Sequence, residues 1–167
     1  MPLLHKEKGK LGHYRRSLAK KPSAIHIAAH FLESTVTPRG SVIALSLTAS
    51  GVPELLTPLE ITRSKIETGI VVLSGCSSGS GEALPASGLM GLTRAWLAAG
   101  ARAVVASHWP TQDDSGILFA SFYRHLCNTP EAGPAVALRR AQDDMLRAGG
   151  WRADPQYWAT YFVVGDQ

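Results

Sequence analysis

Cysteine is scarce in this chain of 167 residues: only Cys76 and Cys127 occur, 51 positions apart. With no C-x-x-C pair and no histidines at metal-ligand spacing, a disulfide scaffold and a structural zinc site are both excluded. Both thiols are expected to be free, with Cys127 a small apolar residue of a helix. Long hydrophobic runs are missing too. No stretch approaches the ~18 to 20 apolar residues of a membrane span. The N-terminus carries Lys6, Lys8 and Lys10 with no apolar stretch behind them, which is not the pattern of a signal peptide. The chain is expected to be soluble and cytoplasmic, without membrane contact.

What is present suits one compact domain. Hydrophobic residues make up 45% and charged residues 18%, enough apolar material over this length for a sizeable core. The net charge of +4 points to nucleic acid only until it is divided along the chain. Residues 1–21 hold seven Lys/Arg against Glu7 alone, and the remainder has ten basic and twelve acidic residues. Residues 1–23 therefore read as a solvated basic segment, residues 24–167 as the domain, and no nucleic-acid partner is expected.

Apolar runs at Ala24 to His30, Ser41 to Leu47, Ile70 to Ser74 and Arg102 to Ser107 predict strands, and Tyr157 to Val164 predicts a last one. The first two are expected to pair around the turn Pro38-Arg39-Gly40. Thr57-Pro58 opens a short helix, and Ser87 and Gly100 bound another with Leu89, Leu92 and Trp96 on one face. Leu118, Phe122 and Leu126 share a third helix face, and Pro134 starts a fourth helix presenting Leu138, Ala141 and Met145. The alternation predicts an α/β sandwich whose largely parallel central sheet is flanked by helices. Ligands of such sheets gather at the carboxyl ends of the strands, where His30, Gly75 to Gly81 and His108 to Asp114 are expected to converge.

Cys76 leaves a buried strand in a Gly/Ser-rich loop, so its sulfur is expected near solvent and near backbone N–H groups that stabilise negative charge. A thiol near its reference pKa of ~8.5 is only a few per cent thiolate at neutral pH and needs an imidazole beside it. His30, at the end of its own strand, can supply one. Spacing alone also permits the plain reading, a small residue at a strand end and an ordinary histidine. Gly75-Cys76-Ser77-Ser78-Gly79 fits G-x-S-x-G, with Ser77 as nucleophile and Asp113 or Asp114 and His125 as partners. But the nucleophile elbow needs a helix starting at the serine, and Ser78-Gly79-Ser80-Gly81 is poor helix material. Gly79-Ser80-Gly81 lacks the third glycine of a dinucleotide fingerprint, since Leu84 stands there, so no nucleotide cofactor is expected.

Two longer stretches, Val72-Leu73-Ser74-Gly75-Cys76-Ser77-Ser78-Gly79 and Gly88 to Pro110 with its Ser107-His108-Trp109-Pro110 end, resemble the CHAT peptidase family, relatives of caspases and separases. The resemblance runs on through Phe122-Tyr123 to Tyr157-Trp158-Ala159-Thr160-Tyr161 and covers residues 24–166. It implies a caspase-like three-layer sandwich, a cysteine endopeptidase with a Cys-His dyad, a protein or peptide substrate, and no metal or organic cofactor. His30 matches the family histidine and Cys76 the family cysteine. The backbone N–H groups of Cys76 and Phe31 would form the oxyanion hole, and Asp113 matches the acidic position that reads a basic P1 side chain in separases. Asp113 also stands where helix N-caps belong. Two features depart from the family. Phe31 replaces the glycine usual after the histidine and is expected to narrow the cleft. The strands and helices that normally precede the histidine are also missing, which implies a fragment of a longer protein, controlled by a repeat or sensor domain or a partner chain. A catalytically inactive CHAT-like scaffold is the alternative.

Overall fold

The computed structural model describes residues 11–33, 41–75, 86–108 and 116–165. Its central sheet has four strands in the order β1 (Ala24–Ala28), β5 (Thr68–Ser74), β6 (Ala101–Ser107) and β7 (Tyr161–Gly165). The first three run parallel and β7 is antiparallel to β6. A smaller antiparallel sheet has the order β2 (His30–Glu33), β3 (Ser41–Leu47) and β4 (Pro53–Leu56). The helices are α1 (Leu11–Leu18), α2 (Pro58–Arg63), α3 (Ala86–Ala99), α4 (Gly116–Asn128) and α5 (Gly133–Ala148).

The core strands are apolar without interruption because both faces of the sheet are covered. Along β5, Val71 and Leu73 enter one apolar cluster with Trp96, Leu92 and Ile61, while Ile70 and Val72 enter a second with Phe119, Phe122, Leu138 and Met145. The period-two alternation of a strand thus assigns α1, α2, α3 and the small sheet to one side, and α4 and α5 to the other. This is the mostly parallel, helix-flanked α/β sandwich expected, and its layering is caspase-like.

Local signals explain where the helices begin and end. Thr57 caps α2 with a full capping box: its hydroxyl accepts from the Glu60 N–H, and the Glu60 carboxylate accepts from the Thr57 N–H. Gly100 closes α3 at φ +115°, where a Cβ would lie 2.0 Å from the Ile66 carbonyl oxygen. Ser87 lies inside α3 rather than before it, and Cys127 is exposed rather than buried. No helix among the described residues is long and apolar enough to cross a membrane.

Two differences from the sequence expectations matter for the site. The run from Ala24 to His30 is not one strand: it bends at Ala29, so that β1 joins the central sheet beside β5 while His30 opens β2 against β3. The basic N-terminal stretch also contains α1, whose Tyr14 is 3% exposed and meets Trp96 edge-on with ring centroids 6.3 Å apart. Burial raises the Tyr14 pKa to about 12, and the hydroxyl lies by Ser64 without a hydrogen bond of good geometry.

Because the ring and not the hydroxyl holds α1, Tyr14→Phe should stay within about 1 kcal/mol of the parent in chemical denaturation, whereas Tyr14→Ala should cost about 3 kcal/mol. Unchanged stability in Tyr14→Ala would show that α1 is only a solvated appendage.

Candidate active site

The site forms where three parallel strands end at the same edge of the sheet. The last rung between β1 and β5 pairs Ala28 with Ser74. Immediately beyond it Gly75 comes so close to the bend in the other chain that a Cβ on Gly75 would lie 1.8 Å from the Ala29 carbonyl oxygen and 2.7 Å from Phe31 Cε2. Any side chain at 75 would push the two strand ends apart. Gly75 is therefore required by close backbone approach, the use of glycine that needs no unusual φ.

His30 follows Ala29 and is exposed, paired across β2 and β3 with Ala44. Phe31 points the other way. Its side chain is 3% exposed and belongs to the apolar cluster on the α3 side, so it does not narrow the cleft. Its backbone is ordinary strand, and among the described non-glycine residues only Lys21 and Lys65 have positive φ. His108, at the end of β6, is exposed and stacks on Phe162 at 4.1 Å between ring centroids, and its N–H donates to the Thr160 carbonyl. Cys76, Ser77 and Asp113 lie outside the described residues.

On the α4 face of the same strand ends stands a group that sequence reasoning passed over. His26 Nε2 is 2.5 Å from Ser74 Oγ, and His26 Nδ1 is 3.0 Å from the Tyr123 hydroxyl. Phe119 packs edge-on against the imidazole at 5.0 Å. Burial lowers the His26 pKa to about 4, so the ring is neutral near pH 7, and burial likewise pushes the Tyr123 phenol up. The available signal was alternation, since it sets Ser74 on the face of Val72.

Other polar groups belong elsewhere. His125 Nε2 lies 2.7 Å from Asp144 Oδ2, and Ser121 and Arg124 donate to the same oxygen. Those bonds, first from Ser121 and then from His125, hold the Asp144 carboxyl down at about 2. His125 therefore joins α4 to α5 through Asp144. A cleft lined by Leu11, Tyr14, Arg15, Arg63 and Lys65 opens beside Lys21 and Glu67, which precede β1 and β5, at the end of the sheet opposite the site.

The Gly75 contact has a measurable consequence. Gly75→Ala should cost about 2 kcal/mol or more in stability, because the backbone of Ala29 cannot yield as a flexible side chain would. Denaturation at parental stability would show that the strand ends are not held in contact.

The CHAT domain family model matches residues 2–166. Human tetratricopeptide repeat protein 28 is 33% identical over 112 residues, which are 66% of this chain and 4% of that protein. Its mouse counterpart is 31% identical over 112 residues with the same coverage, so the chain spans only a small fraction of these relatives. With the model covering nearly its whole length, the chain belongs to the CHAT domain family, a caspase-like family related to proteases.

Proposed function

We propose that this chain is a cysteine endopeptidase in which Cys76 is the nucleophile and His30 its base. The observation that carries the reading is the contact of Gly75 with Ala29. Cys76 and His30 each follow one of the two touching residues, and one trans peptide advances a chain only about 3.8 Å between Cα atoms. A thiol and an imidazole that leave such a contact start within reach of one another. His30 is exposed, as a base that meets substrate must be.

The chemistry follows from the pair. The Cys76 thiolate attacks the scissile carbonyl carbon, and the N–H groups of Cys76 and Phe31 stabilise the oxyanion. The protonated His30 ring then donates to the departing amine as the C–N bond breaks, leaving a thioester. His30 next takes a proton from water, whose oxygen attacks the thioester carbonyl and releases the thiol and the carboxylate product. Asp113 reads a basic P1 side chain of a protein or peptide substrate. Residues 24–167 hold the residues of this activity, residues 1–23 form an N-terminal extension whose α1 packs on the same core, and the protein acts in the cytoplasm. The repeats in the names of the relatives support control by a repeat region or a partner chain.

The second reading, an inactive scaffold, draws on those same names, which mention repeats and no catalysis. Alkylation separates the two. In a Cys127→Ser background, which removes the exposed second thiol, Cys76 should react with iodoacetamide well below the ~8.5 midpoint of a free thiol, and His30→Ala should remove that advantage. An ordinary titration in a folded protein would show that the dyad is not assembled and favour the scaffold.

Specificity has its own test, cleavage of matched peptides with Arg, Asp or Leu at P1. Arg should be preferred, and Asp113→Ala should lose about tenfold or more on the Arg peptide while sparing the Leu peptide. Preference retained in that variant would remove Asp113 from the pocket.

A further inference from the structure

Beyond the rung that joins Ala28 to Ser74, β1 and β5 share no ladder pair. The chain of β1 turns at Ala29 into the smaller sheet, so the parallel ladder ends just before the positions from which the proposed dyad follows. On the α3 side the separation is limited from below by the contact of Gly75 with Ala29. On the other face a polar group ties the same two strands directly.

We propose that His26, Ser74 and Tyr123 form a positioning relay that holds the ends of β1 and β5 at the spacing the Cys76–His30 pair needs, an inference that rests on the peptidase reading. His26 stands opposite Val72 in the register, and its ring reaches diagonally along the neighbouring strand to Ser74, the last residue of β5. Tyr123 anchors the far side of the ring to α4. The tie therefore joins three elements and ends two residues before Cys76, on a chain that begins the loop one residue later.

Packing alone would not select these residues. The surroundings on this face are Ile70, Val72, Phe119 and Phe122, where apolar side chains would pack without the cost of burying an imidazole and two hydroxyls. Here that cost is offset by mutual satisfaction. A neutral imidazole offers one donor and one acceptor, and each partner is a hydroxyl able to take either role, so both tautomers are satisfied. Such directional bonds restrain the Ser74 side chain and its backbone more sharply than apolar contact does. Precision matters at this place because a misplacement of about 1 Å between reacting groups can cost about a hundredfold in rate.

The test uses the full chain in the Cys127→Ser background, with Ser74→Ala, His26→Phe and Tyr123→Phe compared with His30→Ala. Thermal unfolding is measured beside the pH profile of Cys76 alkylation, a readout that a merely structural role leaves unmoved in a folded variant. Ser74→Ala and His26→Phe should unfold cooperatively yet move the alkylation midpoint up by about one pH unit toward the free-thiol value of ~8.5. Alkylation at neutral pH should then slow about tenfold. Tyr123→Phe should shift it in the same direction by less, and Ser74→Ala combined with His26→Phe should shift it no further than His26→Phe alone, because that variant already lacks the bond to Ser74. Folded variants with the parental midpoint would overturn the relay. If His26→Phe does not fold, Ser74→Ala decides, since it removes a single oxygen from the same bond. When His30→Ala raises the midpoint and Ser74→Ala does not, the dyad stands and the relay alone falls. A parent that titrates as an ordinary thiol, unmoved by His30→Ala, would instead sink the peptidase reading and the relay with it.

Discussion

Two backbones in contact without a side chain between them set the geometry of this molecule. Gly75 meets the carbonyl of Ala29 at a distance that no Cβ could tolerate, one step past the last rung between β1 and β5. Parallel strands leave a sheet at the same edge, so their following loops compete for the same space. Here the competition is resolved by a glycine on one chain and a bend on the other. The bend sends residues 30–33 into a second sheet, and Phe31 then fills the space below Gly75.

The alternation of β5 divides the labour between its faces. Val71 and Leu73 are surrounded by apolar groups from α1, α2, α3 and the small sheet, and this face stays apolar down to Phe31. Ile70 and Val72 face α4 and α5, but the next residue on that side is Ser74, and there the packing changes from apolar to hydrogen-bonded. A polar group at the end of an apolar strand is inexpensive only when its partners are already in place, and His26 and Tyr123 come from elements fixed by the same core. The polar tie is thus a consequence of the two hydrophobic layers, as well as a constraint upon them.

Much of the fold was legible because burial on both faces leaves unmistakable apolar runs at β5 and β6, and because α4 and α5 show their core faces at helical spacing. What escaped has physical reasons. Residues 24–30 read as one strand, since no Gly or Pro marks the bend at Ala29; the break is imposed by the tertiary contact with Gly75, which periodicity does not record. β4 contains Pro53 and Glu54 and lacks the composition of a strand, but as the edge of the small sheet it tolerates both. α1 is short, with Arg15 and Arg16 among its eight residues, and docks through the buried Tyr14 with Leu11 and Leu18 only partly buried, too weak an apolar stripe to stand out. At the site, His30 was singled out through family resemblance together with its strand-end position, whereas His26 looked like strand filler because a neutral buried histidine has no mark in a sequence.

The same contact accounts for the residue that departs from the family pattern. A phenylalanine after the histidine would be a serious obstacle if the position required positive φ or if the ring faced the cleft. Neither holds, since β2 is regular strand at Phe31 and the ring is buried against the core. Its Cε2 occupies part of the volume that a side chain at 75 would claim, so Phe31 and Gly75 are complementary in size. A glycine at both positions would leave a void beneath the strand ends, at a cost that grows with the cavity. A side chain at both would force the ends apart. The backbone N–H of residue 31, the donor proposed for the oxyanion hole, is the same in either residue, so a phenylalanine there alters the support under the strand ends and is compatible with that proposal.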